Sequence, residues 1–232
     1  MAYANAASAE GDPVEVAYRR IDTHMNSILD ITKSETFRVF LSGANNFRHD
    51  IYPAYKANRK DMVSPRWRDL CKEYLVTQWG AEVTDGYEAD DALGIHQDKN
   101  STSLQTTICT IDKDLDMIPG LHYSWPIVRG GLIVREARLY KVSDIEGLRS
   151  FYRSILVGDR TDNIIGIEGI GKVRAAKMID HLETEEEMFD CVIELYNDDM
   201  ERLKVNGKCL WIMREEGKQW EFKNQDLILE NV

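Results

Sequence analysis

The chain has 232 residues, 43% of them hydrophobic and 30% charged, with 29 basic and 40 acidic side chains giving a net charge of −11. That length suits one sizeable domain, or one domain with a small helical appendage; no apolar run approaches the ~18 residues of a membrane span, and the small, polar stretch from Met1 to Glu10 does not read as a secretory signal. Four scattered cysteines and five dispersed histidines, with no C-x-x-C or H-x-x-x-H spacing, argue against a disulfide framework and a zinc site and point to a reducing compartment, the cytoplasm.

Elements follow in chain order. Val14 to Ile31 carries apolar residues at near-helical spacing (Val14, Ala17, Ile21, Met25, Ile28) and predicts a helix. Phe37 to Leu41 reads as a buried strand, and Ser42-Gly43 as its turn. Residues 48–72 hold seven basic side chains against three acids. Within them, Tyr52 to Lys60 mixes aromatic rings with cations: Tyr55 suits stacking on a base, and Lys56 and Arg59 suit holding a phosphate. Pro65 to Trp79 predicts a helix, Ala81-Glu82-Val83 a short strand, and the chain from Tyr87 a further helix. Thr106 to Ile111 is the clearest buried strand, and Ile127 to Val134 a hairpin around Gly130-Gly131. From Ser143 the pattern is helical to the end. Strands alternating with helices predict an α/β layered domain with a mostly parallel sheet over residues 1–142, followed by a helical region over 143–232. The acid-rich stretch from Glu183 to Glu201 reads as a solvated helix face.

Three short segments concentrate acids. Glu88, Asp90 and Asp91 follow a predicted strand and open a helix. Acids in a first helical turn favour the positive end of the helix dipole, but three so close repel one another unless a cation lies among them. Asp112, Asp114 and Asp116 follow the Thr106–Ile111 strand, at the end where open α/β sheets bind ligands. An EF-hand loop is excluded there, because Met117 stands where glycine is needed and Tyr123 where glutamate is needed. Asp159 and Asp162 are three apart, on one face if the segment is a helical turn. Oxygen donors without His or Cys suit Mg²⁺ or Mn²⁺. Two such ions ~3.5–4 Å apart can activate a water and stabilise the leaving oxygen of a phosphodiester.

Gly166 to Val173 nearly fits a P-loop, and nucleotide binding is one reading of it. However, Val173 stands where the Mg²⁺-binding hydroxyl belongs. A tight connection between two helices is the alternative. Gly169 and Gly171 then let backbone N–H groups approach a phosphate, a helix starts at Lys172, and Lys172, Arg174 and Lys177 add positive charge.

Together, Tyr55-Lys56-Ala57-Asn58-Arg59, Glu88-Ala89-Asp90-Asp91, Asp112-Lys113-Asp114, and Gly158-Asp159 to Asn163 running into Gly169-Ile170-Gly171 resemble the 5′-nuclease or flap-endonuclease family, particularly its small phage and bacterial members. Their order and spacing match along residues 37–180. The resemblance implies a PIN-like α/β nuclease domain and then a helix–three-turn–helix element gripping duplex DNA. It implies two divalent ions held by Glu88, Asp90, Asp91, Asp112, Asp114, Asp159 and Asp162, with Lys56 and Arg59 near the scissile phosphate. It also implies a K⁺ site at the glycine hairpin, and a cytoplasmic enzyme (in the host cytoplasm if phage-encoded), expected to act as a monomer on DNA with a 5′ end or flap. Asp116 is not a ligand in that pattern. Two features depart from it. Family members begin with an Asp-bearing central strand placed before a segment like Tyr3 to Ala6, and Ser42 stands where an Asp usually ends the next strand. These departures make a catalytically impaired or truncated DNA-binding relic the alternative expectation.

Overall fold

A computed structural model describes residues 11–60, 62–99, 106–197 and 199–221, with only the backbone for residues 98 and 99. Helix α1 (Val14–Thr32) buries Ala17 and Ile21 and stops at Lys33, whose left-handed backbone (φ 54°) sends its N–H back to Leu29 O. Strand β1 (Phe40–Ser42), the short α2 (Arg48–Ile51) and a 3₁₀ turn over Ala57–Arg59 follow. Helix α3 (Arg68–Trp79) ends at Gly80, again with positive φ, as C-terminal caps commonly do. Next come β2 (Glu82–Thr84), α4 (Ala89–Lys99), β3 (Thr107–Cys109), a 3₁₀ turn over Asp114–Met117, and β4 (Gly120–Ser124). The hairpin β5 (Ile127–Arg129) and β6 (Leu132–Arg135) turns at Gly130-Gly131, both with positive φ, and β7 (Arg138–Val142) follows it.

Two elements of the sequence reading need correction. Among the described residues the strands do not form one mostly parallel sheet. β1 pairs with β2 in parallel, β3 with β4 in parallel, and β7 runs antiparallel on β4; β5–β6 is a separate antiparallel pair, as are Gly158–Asp159 and Ile164–Ile165. The architecture is mixed α/β. Second, the chain beyond Ser143 is not helical throughout. Helix α5 (Asp144–Val157), closed at its start by a Ser143/Glu146 capping box, runs into a two-residue antiparallel pair, β8 (Gly158–Asp159) and β9 (Ile164–Ile165). Helices α6 (Lys172–Ile179), α7 (Glu185–Tyr196) and α8 (Met200–Leu210) complete the described chain.

The apolar side chains gather in separate clusters. Ala17, Ile21, Leu41, Cys71, Leu75 and Ala81 form a cluster between α1, α3 and β1. A larger cluster joins Ile108, Leu115, Met117 and Ile118 to Phe151, Tyr152, Ile155, Leu156, Ile179, Met188 and Val192. The second cluster draws on residues before and after 142, because α5 packs on the Asp114–Met117 turn. Helix α4 touches β1, β2 and β3 and so spans both strand pairs. Its first turn carries the first acid cluster.

Candidate active site

The first cluster sits where α4 begins. Ser42 Oγ, at the end of β1, accepts the Ala89 N–H (3.0 Å), satisfying one of the free amides of the helix start. Asp91 points inward and is fully buried. Arg48 Nη1 and Nη2 donate to its two oxygens (2.6 and 2.9 Å), and the backbone N–H groups of Glu88 and Met213 donate to them as well (3.0 Å each). Four donors fill the lone-pair sites of a carboxylate. Asp91, expected as a metal ligand, is thus occupied as the anchor of Arg48. Burial opposes the Arg48 charge, yet the Asp91 pair outweighs it and holds the guanidinium firmly protonated. Arg48 also donates to Cys209 O and Trp211 O (2.8 and 2.7 Å), tying the end of α8 to α4.

Glu88 and Asp90 stay half-buried. Burial and the neighbouring Asp112, Glu88 and Asp91 push Asp90 up to about 7. Burial would raise Glu88 too, but Lys56 and Arg48 beside it bring it below its usual value. Asp112 accepts the Asp114 N–H (3.1 Å) in the loop after β3. Partial desolvation and the charges of Asp112, Asp159 and Asp162 raise Asp114 to about 7, although its side chain keeps much surface in water. These mutual influences run from Glu88 through Asp90, Asp112 and Asp114 to Asp159 and Asp162, and Tyr55 and Lys56 bridge Glu88 to Asp162, so the three clusters lie near one another. Asp116 does not belong to this group: it accepts the Tyr140 hydroxyl (2.6 Å).

Asp159 and Asp162 lie not on a helical face but in the β8–β9 turn. Gly158, with φ +70°, opens it, and a β-carbon there would collide with the Gly166 backbone. Asp159 Oδ1 accepts from Thr161 N and Oγ1 (2.7 Å each). The turn is sewn to the basic segment. Lys56 N–H donates to Asp162 O (2.9 Å), Asn58 Nδ2 to Arg160 O (2.7 Å), Arg59 Nε to Thr161 O (2.9 Å) and Asn163 Nδ2 to Ala54 O (2.8 Å). Lys56 itself adopts φ 55°. Its ammonium pairs with Glu88 and approaches Asp162 (3.5 Å), and the Arg59 guanidinium pairs with Asp162.

Tyr55, expected to stack on a base, points inward. It is 2% exposed, and its hydroxyl donates to Glu88 and Asp162 (2.9 Å each). Burial, with those two carboxylates, keeps the phenol protonated. Its hydroxyl thus links the first acid cluster to the third. Sequence reasoning passed over Arg48, Asn58 and Asn163; the proximity of Asn58 and Asn163 to the quoted motifs was the available signal, whereas nothing local marks Arg48.

Beyond the turn, Gly169 has φ +76°, and nothing lies within 4 Å of a β-carbon built at Gly171. Gly171 caps α6 without a side-chain bond, leaving its first amides open. Lys172, Arg174 and Lys177 are exposed while Ala175 and Ile179 face the core, and the Lys172 charge reaches Asp114. The expected glycine-led helix start is therefore present beside the acids.

The donor set is oxygen only, and like-charge repulsion within it is what a divalent cation would relieve. Among the described residues, no three His, Cys, Asp or Glu side chains converge closely enough to hold an ion as they stand. Glu88 and Asp162 are instead turned to Lys56, Arg59 and Tyr55. The set fits a hard cation chemically, and loading requires those cationic partners to move.

With known proteins, the chain shows similarity at both sequence and fold level. The family described as "5'-3' exonuclease, N-terminal resolvase-like domain" matches residues 1–120. A thermostable DNA polymerase I of Thermus thermophilus is 34% identical over 187 residues, covering 74% of this chain and 21% of the polymerase. A 5′-3′ exonuclease of Bacillus subtilis is 29% identical over 168 residues, covering 66% of this chain and 56% of that protein. The chain thus spans about a fifth of the length of the polymerases it matches. The T5 D15 protein crystallised with metal ions shares the fold at a TM-score of 0.62 and 20% identity, covering 82% of this chain and 79% of that one. The T5 D15 flap endonuclease in complex with DNA and metal ions gives 0.56 and 19%, over 83% and 89%. Among the described residues, no helix is long and apolar enough to cross a membrane. Because the family match covers more than half of the chain, the protein belongs to the 5′-3′ exonuclease family through its N-terminal, resolvase-like domain.

Proposed function

We propose that this chain hydrolyses DNA phosphodiester bonds at or near 5′ ends, as a divalent-metal-dependent 5′-3′ exonuclease, a flap endonuclease or both, in DNA replication or repair. The observation that carries the reading is the gathering of three oxygen-only acid clusters, with Lys56 and Arg59 paired to Glu88 and Asp162 among them. Asp90, Asp112, Asp114 and Asp159, with Glu88 and Asp162, would hold Mg²⁺ or Mn²⁺. Two such ions would supply an activated water and stabilise the leaving oxygen.

The chain's own residues do the rest. Asp91 locks Arg48 and so fixes the start of α4, where Glu88 and Asp90 are presented. Tyr55 sets the rotamers of Glu88 and Asp162. Lys56 and Arg59 exchange their carboxylate partners for the phosphate and oppose the charge that develops on it. The amides at Gly171, with Lys172, Arg174 and Lys177, hold the duplex backbone. The helix–three-turn–helix identity of that region, its K⁺ site, the monomeric state and a cytoplasmic location belong to the same proposal.

The test is cleavage of a 5′-labelled flap and of a blunt duplex with Mg²⁺, Mn²⁺ or EDTA. Metal-dependent cutting is expected, with Asp112→Asn abolishing it while leaving duplex affinity within a few-fold. Cutting that survives EDTA or Asp112→Asn, or an equal loss of binding and cutting, would overturn the ligand role.

A further inference from the structure

A cleft of about 370 Å³ with two cations in its lining lies at the carboxyl end of β1. Leu41, Val76 and Val83 form its apolar wall, and Arg68 and Lys72 of α3 reach into it. Such a volume falls within the ~300–1,000 Å³ range of small-ligand clefts. Arg68 and Lys72 stand one helical turn apart and both are half-buried. Neither has a carboxylate within ion-pair distance among the described residues: Lys72 Nζ meets only Ser42 O (3.4 Å), and Arg68 Nη1 only Ser64 Oγ (3.5 Å). Burial and the Arg68 charge pull the Lys72 ammonium below its usual value, a cost that a bound anion relieves. Gly43 closes the floor against β2, where a β-carbon would collide with Thr84 O. The same wall includes Ser42, whose hydroxyl holds the first amide of α4, so this cleft and the acids share one corner.

We propose that this cleft is a second phosphate subsite, in which Arg68 and Lys72 hold a phosphate of the DNA strand while the apolar wall takes the face of its deoxyribose. The inference rests on the nuclease reading and adds a contact beyond the scissile phosphate. The phosphate is either a terminal 5′ monoester or an internal diester, and the two differ in their dependence on the 5′ group.

The test is equilibrium binding of the full chain, in EDTA, to fluorescent duplexes carrying a 5′-phosphate or a 5′-hydroxyl, across a salt series. Arg68→Gln/Lys72→Gln is expected to weaken binding about tenfold at low salt and to lower the slope of log K against log salt by about 0.9, one phosphate's worth. Glu73→Gln, which removes the one acid lining the cleft, is expected to tighten binding about threefold and guards against misfolding of the double variant. A 5′-phosphate preference that vanishes in the double variant assigns the subsite to the terminus; loss without such a preference assigns it to an internal phosphate. Unchanged affinity and slope in both variants overturn the subsite alone. A wild-type chain that binds no duplex overturns the nuclease reading and the subsite with it.

Discussion

Asp90 shows how a residue can be costly to the fold and useful to the site. Its carboxyl is held at about 7 by burial and by Asp112, Glu88 and Asp91, against ~4 in an unfolded chain. Between those values the folded chain binds a proton that the unfolded chain has released. Stability from this group is therefore fully present below pH 4 and is lost as pH rises through 7. In EDTA the protein should melt several degrees higher at pH 5.5 than at pH 8. Asp90→Asn should raise the melting temperature at pH 8 and flatten its pH dependence; an unchanged profile would place the strain elsewhere. The net charge of −11 pushes in the same direction through general self-repulsion, which is why the variant, not the profile alone, decides. Tyr55 makes the opposite case. Its hydroxyl serves two carboxylates, so Tyr55→Phe should cost about 1.5–3 kcal/mol in urea unfolding, the range for hydrogen bonds to charged groups, while ring contacts with His49 remain.

At the scale of elements, helices α1, α3 and α4 and the β5–β6 hairpin were legible because their signals are local: apolar spacing for the helices, Gly-Gly for the turn. The β8–β9 pair was not, since two residues per strand carry no periodicity, and Asp159 and Asp162 three apart look the same in a helix as in this turn. Tyr55 beside Lys56 reads as a stacking platform, but its partner Asp162 is 107 residues away, and only the fold brings it in. The acids themselves were legible as a set because clusters of like charge need an explanation wherever they fall. Two substitutions test the elements. Ser42→Ala removes the acceptor for Ala89 N–H and should destabilise by about 1 kcal/mol, as loss of a helix-start cap does. Gly158→Ala asks an L side chain to take φ +70° against the Gly166 backbone. It should cost more, about 2 kcal/mol or above, and reduce cleavage along with stability because the turn carries Asp159 and Asp162. A fully active, fully stable Gly158→Ala chain would show that the β8–β9 turn is not needed.

Across the whole molecule, the two parallel strand pairs are bridged by α4, and the Arg48–Asp91 pair ties the first turn of that helix to the end of α8. Arg48 is buried, its carboxylate partner is buried, and its remaining donors reach Cys209 O and Trp211 O, 161 and 163 residues along the chain. Nothing near Arg48 or Asp91 in sequence announces this pairing. The pair makes a prediction that separates structural from catalytic acids. Arg48→Met leaves Asp91 buried with its charge uncompensated, and Asp91→Leu does the same to Arg48; each should cost about 3–5 kcal/mol. The double variant removes both charges and should recover much of that loss, whereas backbone groups at 88, 209, 211 and 213 lose their partners and keep it short of full recovery. Denaturant unfolding of the four proteins, read as a double-mutant cycle, should give a coupling of several kcal/mol. Divalent-ion affinity measured by calorimetry on the double variant should stay within a few-fold of wild type, because Asp91 spends its oxygens on Arg48. A loss of ion binding as deep as that of Asp112→Asn would return Asp91 to the ligand set and leave Arg48 as its counter-ion.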